Sequence, residues 1–427
     1  MEFYYIPLVV IALYYAIYYY FTRTFNYWKK RNVRAPEPTV FFGNLKESAL
    51  RQKNVGVVMQ EIYDMFPDEK VVGMYRMTTP SLLVRDLEII KHILIRDFEL
   101  FADRGMEFSK KGLGQNLFHA DGDTWRALRS RFTPIFTSGK LKRMFNLMHE
   151  RADFFMDYVS KEAEINPEFE IHSLIQKYTV SSICSCAFGL NLQSLENKLE
   201  DLELIDKLVV APNFGIELDM IPNFGDTQTS LDITDDVMAA QAFIFYVAGY
   251  ETSATTVSYL IYQLALNQDV QNKVIAEVDE VTKANNGEFT YESMKEMKYL
   301  HKVFDETLRL YSIVEPLQRK ATVDYKVPGT DLTIEKGTIV LISPRGIHHD
   351  EKYYPKPEVF DPSRFDADVA GNRHPCAYMP FGLGQRNCIG MNAVWQATVG
   401  IRNLAVDPNR IIIGPRDGIY VNLVARK

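Results

Sequence analysis

The segment Phe381-Gly382-Leu383-Gly384-Gln385-Arg386-Asn387-Cys388-Ile389-Gly390 decides the reading of this chain. Glycines at 382, 384 and 390 let backbone approach a large flat ligand closely. Arg386 can pair with an anionic group beside it. Cys388 stands just before a helix predicted to start near Ile389, and a helix N-terminus lowers a thiol pKa from its ordinary value of about 8.5. A dinucleotide loop does not fit, because the last glycine of G-x-G-x-x-G would fall on Asn387. Cys376 is a rival thiol, but it follows His374-Pro375 with no glycine beside it.

The totals fit a globular protein with one large domain or two ordinary ones. Of 427 residues, 47% are apolar and 24% charged, which leaves little room for extended disorder. A formal charge of -7 argues against nucleic acid as a partner. The four cysteines, at 184, 186, 376 and 388, form no C-x-x-C pair. Structural zinc and a disulfide framework are both unsupported, and a reducing compartment fits. No Rossmann fingerprint, Walker A loop, H-E-x-x-H or G-x-S-x-G occurs, so any electrons must come from a separate protein.

Residues Phe3 to Phe21 carry no charged side chain, close to the roughly 20 needed to span a bilayer core. Seven tyrosines, at 4, 5, 14, 15, 18, 19 and 20, favour the membrane–water interface. Arg23, Lys29, Lys30, Arg31 and Arg34 follow the segment, which places the following domain on the cytoplasmic side. A cleaved signal peptide lacks its basic start and small-residue cleavage site. Ala35-Pro36-Glu37-Pro38 then reads as a stiff extended hinge.

Beyond the anchor, short strands are predicted over 71–75 and 81–84 and helices over 87–96, 123–131, 141–161 and 171–188. A long apolar helix covers 233–268, broken locally at Ala248-Gly249, and helices over 270–282 and 294–311 follow. Strand character runs over 325–342 with Pro328-Gly329 as a turn, and the last strands flank 414–418. The sum is mainly helical with a small sheet.

Three further patterns carry chemistry. Glu306 and Arg309 share one helix face and can pair. Thr252, in Ala248-Gly249-Tyr250-Glu251-Thr252, can bond backward to the backbone and loosen the long helix; the plain alternative is a structural threonine beside an exposed glutamate. Trp125 and Arg129 stand at i, i+4 and point the same way, as donors suited to carboxylates. A solvated basic helix explains Arg126 and Arg131 as well. Arg126, Arg131, Lys140, Lys142 and Arg143 form a local basic patch able to steer an acidic partner.

With the complete F-x-x-G-x-R-x-C-x-G match from Phe381 to Gly390, the sequence resembles a cytochrome P-450 over nearly its whole length. Asn26-Tyr27-Trp28-Lys29-Lys30-Arg31, Phe41-Phe42-Gly43-Asn44-Leu45 and Phe136-Thr137-Ser138-Gly139-Lys140-Leu141-Lys142 make it most similar to insect microsomal family-6 monooxygenases. The resemblance implies a mainly α fold, the cytochrome P-450 fold, with a small β subdomain and an N-terminal transmembrane helix. It divides the chain into an anchor at 1–22, a basic and proline hinge at 23–38 and a haem-thiolate catalytic domain at 39–427. The cofactor would be haem b, with Cys388 as the iron ligand and Phe381 beside the ring. Trp125, Arg129, Arg319 and Arg386 would bind its propionates. Thr252 would face the oxygen groove, and Glu251 would help deliver protons. Arg364, from Phe360-Asp361-Pro362-Ser363-Arg364-Phe365, would join Glu306 and Arg309 in a buried network that locks the cysteine loop. Phe108, Phe118, Phe243, Tyr246 and Val314 would line the pocket, with core packing as the alternative for each.

The same resemblance implies insertion of one oxygen atom of O2 into hydrophobic small molecules such as plant toxins and insecticides. Electrons would come from NADPH through NADPH–cytochrome reductase, with cytochrome b5 as a further candidate partner. The location would be the endoplasmic reticulum membrane, in contact with lipid. This chain departs from the family in a short connection between Phe188-Gly189-Leu190 and the long helix, where Pro212, Gly215, Pro222 and Gly225 keep any helix short. A second shortening falls near 404–407, Asn392 replaces the usual basic residue, and the hinge lacks the common glycine. Two other readings stay open: a hydroperoxide isomerase or dehydratase on the same fold, and a membrane-tethered haem-binding protein without turnover.

Overall fold

In the computed structural model, the described residues are 6–106, 112–165, 168–189, 234–400, 404–414 and 418–425. The principal helices are α1 Ile6–Thr22, α2 Val55–Asp64, α3 Leu87–Lys91, α4 Gly122–Phe132, α5 Ser138–Ile165, α6 Ile171–Phe188, α7 Asp235–Leu266, α8 Gln268–Ala284, α9 Lys298–Leu310 and α10 Met391–Gly400. The strands are β1 Val71–Arg76, β2 Thr79–Val84, β3 Glu168–Glu170, β4 Leu317–Lys320, β5 Tyr325–Lys326, β6 Thr333–Ile334, β7 Ile339–Ile342, β8 Leu404–Gly414 and β9 Gly418–Ala425. The architecture is mainly helical with small sheets, as the sequence indicates.

The largest sheet runs β1-β2-β7-β4. β1 and β4 are antiparallel to their neighbours, whereas β2 and β7 pair in parallel, Ser81 opposite Ile339. Both faces of β7 are buried, which explains its unbroken apolar run Ile-Val-Leu-Ile. A second core gathers α8, α9 and α10 around Val303, Phe304 and Trp395.

Three expectations change. The helix over 87–96 is α only to Lys91 and then widens into a π turn, His92–Arg96. The long helix α7 is continuous through Ala248-Gly249. Gly249 is small because a Cβ there would meet Ile183 Cδ1 at 2.8 Å, so it lets α6 pack closely on α7. The back-bond from Thr252 to Ala248 is present, but it does not break the helix. The strand β4, which carries Arg319, went unread in the sequence.

α1 is a 17-residue helix with no buried residue, about 26 Å long at 1.5 Å per residue. No helix among the described residues is long and apolar enough to cross a membrane. After α1 the chain packs onto the sheet. Trp28 is buried, its indole N–H donates to the Met74 carbonyl at 3.0 Å, and its ring covers Gly73. Arg31 pairs with Glu335 and lies over the Tyr27 ring.

Candidate active site

The cysteine loop is folded by its own backbone. Gly382 N–H donates to Met379 O at 3.0 Å, Asn387 N–H to Gly384 O at 3.1 Å and Cys388 N–H to Phe381 O at 2.8 Å. Gly382 and Gly384 have φ of 69° and 74°, left-handed values that favour glycine. Their uses differ from the sequence expectation. Gly382 lines a cavity, but a Cβ on Gly384 would lie 1.9 Å from the Leu94 carbonyl oxygen. Gly384 therefore seats the loop on the π turn, not on a ligand. A Cβ on Gly390 meets only Phe136, at 3.9 Å.

Behind the loop lies the expected Glu306–Arg309 pair, both residues fully buried. Arg309 Nε donates to Glu306 Oε2 at 2.7 Å and Nη2 to Oε1 at 2.9 Å. Arg364 Nε sits 3.4 Å from Glu306 Oε1. Burial pushes the Glu306 carboxyl up, and Arg309 opposes it. Arg309 Nη1 also donates to the His348 carbonyl, and His348 Nε2 accepts the Met379 N–H at 3.0 Å. The ion pair thus reaches the cysteine loop through His348, a link absent from the sequence reading.

One cavity gathers most of the sequence-selected residues: Cys388, Phe381, Arg386, Arg319, Trp125, Arg129 and Thr252. Phe118 and Val314 also line it. Phe243, Tyr246 and Glu251 are not among its walls; Tyr246 packs on Tyr250 at 5.0 Å between ring centroids. Phe108 lies outside the described residues. Phe381 is backed by Phe304, 6.4 Å between centroids at 21°.

The Cys388 thiol opens onto this cavity. Burial pushes its pKa up, and the Gly390 and Met391 N–H groups, Arg129 and Arg104 only partly offset that. The following helix α10 starts at Met391 rather than near Ile389, and its first N–H groups favour the thiolate as expected, against the opposing desolvation.

Opposite charges are scarce around the guanidiniums. Arg386 is held by the Ala120 carbonyl at 2.7 Å and Asp121 at 3.1 Å and lies over the Trp125 ring, yet its Nε and Nη1 are buried without a partner. Arg319 Nη1 donates to Gln318 O, and its Nε is likewise unpartnered. Burial pulls both down to about 10. Arg129 donates to the Asn387 carbonyl and side chain, at 2.8 and 2.9 Å. Arg104 was missed by the sequence reading. It lines the same cavity, and burial together with Arg386, Arg319 and Arg129 depresses its pKa. An unsatisfied buried donor costs about 1–3 kcal/mol. Buried cations with spare donors, one thiol and mainly apolar walls fit a large apolar dianionic ligand such as haem.

Thr252 donates to the Ala248 carbonyl at 2.6 Å. With Ile244, Ala248 and Thr256 it forms the i, i+4 stripe of α7 that walls the cavity, and Phe245 lies beside it. Counting four residues outward from Thr252 would have found this face. Glu251 turns the other way, toward α6: Gln176 Nε2 donates to its Oε2 at 2.8 Å, and His172 Nε2 is 3.3 Å from Oε1.

The basic patch is partly neutralised. All five members are exposed; Arg126 pairs with Glu99 and Asp123, and Lys142 with Glu292.

Fold and cavity together define a haem-binding enzyme built on a mainly helical frame. The cytochrome P450 family model matches residues 33–224 and 217–393. The chain is 59% identical to cytochrome P450 6B7 of Helicoverpa armigera, covering 99% of each protein, and 48% identical to cytochrome P450 6B1 of Papilio polyxenes, covering 99% of this chain and 100% of that one. It is 33% identical to cytochrome P450 6a2 of Drosophila melanogaster, over 97% and 98%. The chain belongs to the cytochrome P450 family; it is an enzyme of the monooxygenase class, and its cofactor is haem b. The alignment with P450 6B7 runs over 497 positions, so at least 70 have no counterpart among these 427 residues. The two matched stretches overlap at 217–224, within the connection that the sequence marks as shortened. That connection, 190–233, lies outside the described residues. The family match ends at 393, ahead of the second expected shortening.

Proposed function

We propose that this enzyme inserts one oxygen atom of O2 into hydrophobic xenobiotics, such as plant toxins and insecticides. Electrons come from NADPH through NADPH–cytochrome reductase, with cytochrome b5 as a second donor. The observation that carries this reading is the convergence of Cys388, Thr252 and the buried guanidiniums on one apolar cavity. Monooxygenase relatives over the full length weigh against the isomerase reading and against a protein without turnover.

Haem, when bound, supplies the site of oxygen activation. Cys388 would be its thiolate ligand, and the Arg129 and Arg104 charges beside the thiol favour the ionised form. Trp125, Arg129, Arg319 and Arg386, with Arg104, would hold the two propionates, which would give the spare donors of Arg319 and Arg386 their acceptors. Phe381, backed by Phe304, is an apolar part of the cavity wall and would help keep water from the bound cofactor. To offer its hydroxyl proton at the cavity wall Thr252 must release its bond to the Ala248 carbonyl, and Glu251 resupplies the proton after turning from its place against α6. Excluding stray water and timing the protons keeps reducing equivalents out of peroxide.

Residues 1–22 form the membrane anchor; 23–38, expected as a hinge, pack onto the sheet through Trp28 and so join the catalytic domain 39–427, on the cytoplasmic face of the endoplasmic reticulum. The uncharged stretch Phe3 to Phe21 and the basic residues after it support this arrangement.

Thr252→Ala tests the proton role. It is expected to raise hydrogen peroxide formed per NADPH while the haem spectrum stays unchanged. An unaltered peroxide ratio contradicts the relay.

A further inference from the structure

We infer that His172 is the outer end of the proton path to Glu251, a positioning residue that recharges and releases that carboxyl; this rests on the relay proposed above. Glu251 stands one residue before Thr252, about 100° around α7 from the cavity stripe. Its carboxylate is docked on α6 by Gln176 and His172 and also meets Thr255 of its own helix. Gln176 Nε2 donates to Oε2 at 2.8 Å, Thr255 Oγ1 lies 3.4 Å from Oε1, and His172 Nε2 lies 3.3 Å from Oε1 and 3.3 Å from Thr255 Oγ1. The ring is the more open partner: the side chains are 31% exposed for His172 and 17% for Glu251.

An acid that gives one proton per turnover must be reloaded, and imidazole changes charge near neutrality. Doubly protonated His172 passes its Nε2 proton to Glu251 Oε1. The ring is left neutral with its proton on Nδ1, and water restores its charge. The carboxyl, now neutral, loses the charge-assisted bonds that hold it on α6 and is free to turn toward Thr252. Among the described residues, two carboxylates face His172: Glu251 from α7, and Glu170 at the start of α6. Glu170 accepts the backbone N–H groups of His172 and Ser173, at 3.1 and 2.6 Å. That cap fixes the first turn and with it the ring's position.

The test uses full-length holoenzyme with reductase, and compares wild type with His172→Asn and Glu251→Gln. Asparagine keeps a hydrogen-bond donor but does not titrate. Peroxide per NADPH, followed from about pH 6 to 8, is expected to vary with pH in wild type. In His172→Asn it is expected to be flat and raised roughly threefold, well short of the ~100-fold span of a full general acid. The second readout is the 15N signal of the His172 ring, identified by its loss in His172→Asn, which is expected to move in Glu251→Gln. A wild-type pH profile in His172→Asn, with Glu251→Gln still raising peroxide, overturns the role of His172 and leaves the relay standing. If Glu251→Gln also leaves peroxide unchanged, both fail. A His172 signal indifferent to Glu251→Gln overturns the contact itself.

Discussion

Two glycines of one motif behave differently because their surroundings differ. At Gly384 the backbone is left-handed and the space for a Cβ is filled by the Leu94 carbonyl. At Gly390 neither condition holds. Gly384→Ala is therefore expected to displace the cysteine loop, at about 1–3 kcal/mol for the backbone strain alone. Gly390→Ala is expected to cost under about 1 kcal/mol. Thermal unfolding and haem content of the two variants check the contrast. The motif spelled out both glycines alike. It could not show that the first is met by a π turn nearly three hundred residues upstream, which depends on how distant segments pack. Arg386 and Arg129 were legible from the cysteine motif and the Trp125–Arg129 spacing, and Arg319 through the family resemblance alone. Arg104 escaped because it belongs to no spaced pattern.

At the scale of elements, helices were legible where apolar spacing is regular, and α6 was predicted over 171–188 with the bounds it has. β4 was not, since Leu317-Gln318-Arg319-Lys320 alternates too briefly; its strand character comes from pairing with β7, Arg319 opposite Val340. The link between α9 and β4 carries a half-buried acid. Glu315 accepts the Ser343 hydroxyl and the Arg345 N–H, and burial pushes its pKa up to about 8. A carboxyl raised in the folded state contributes stability that is complete below its unfolded pKa and is lost as pH rises toward the folded value. Stability is thus expected to fall between the ordinary carboxylate pKa of 4.5 and about 8, by up to ~1.4 kcal/mol per unit from this group. Glu315→Gln, neutral throughout, is expected to remove that slope. Denaturant unfolding at several pH values measures it.

For the whole molecule, the connection between α1 and the sheet is the informative joint. Trp28 fills a site against Gly73 and Met74, so the segment after α1 is part of the folded body. Removing residues 1–22 is expected to leave thermal stability within about 1 kcal/mol and to release the protein from membranes. Trp28→Ala is expected to cost about 3–5 kcal/mol. Calorimetry and membrane sedimentation separate the two roles. The sequence marked this stretch by its prolines and basic residues. A tryptophan inserted into the sheet leaves no trace in such a pattern, since only the partner surface shows that the ring is buried.

The central claim is that Cys388 holds the haem iron as a thiolate, at the bottom of a cavity built for that cofactor. The most direct measurement is the absorption spectrum of the reduced, full-length protein with carbon monoxide, taken for wild type and Cys388→Ser. The account predicts a red-shifted Soret band in wild type that is lost in Cys388→Ser. The same band persisting in the serine variant would contradict it.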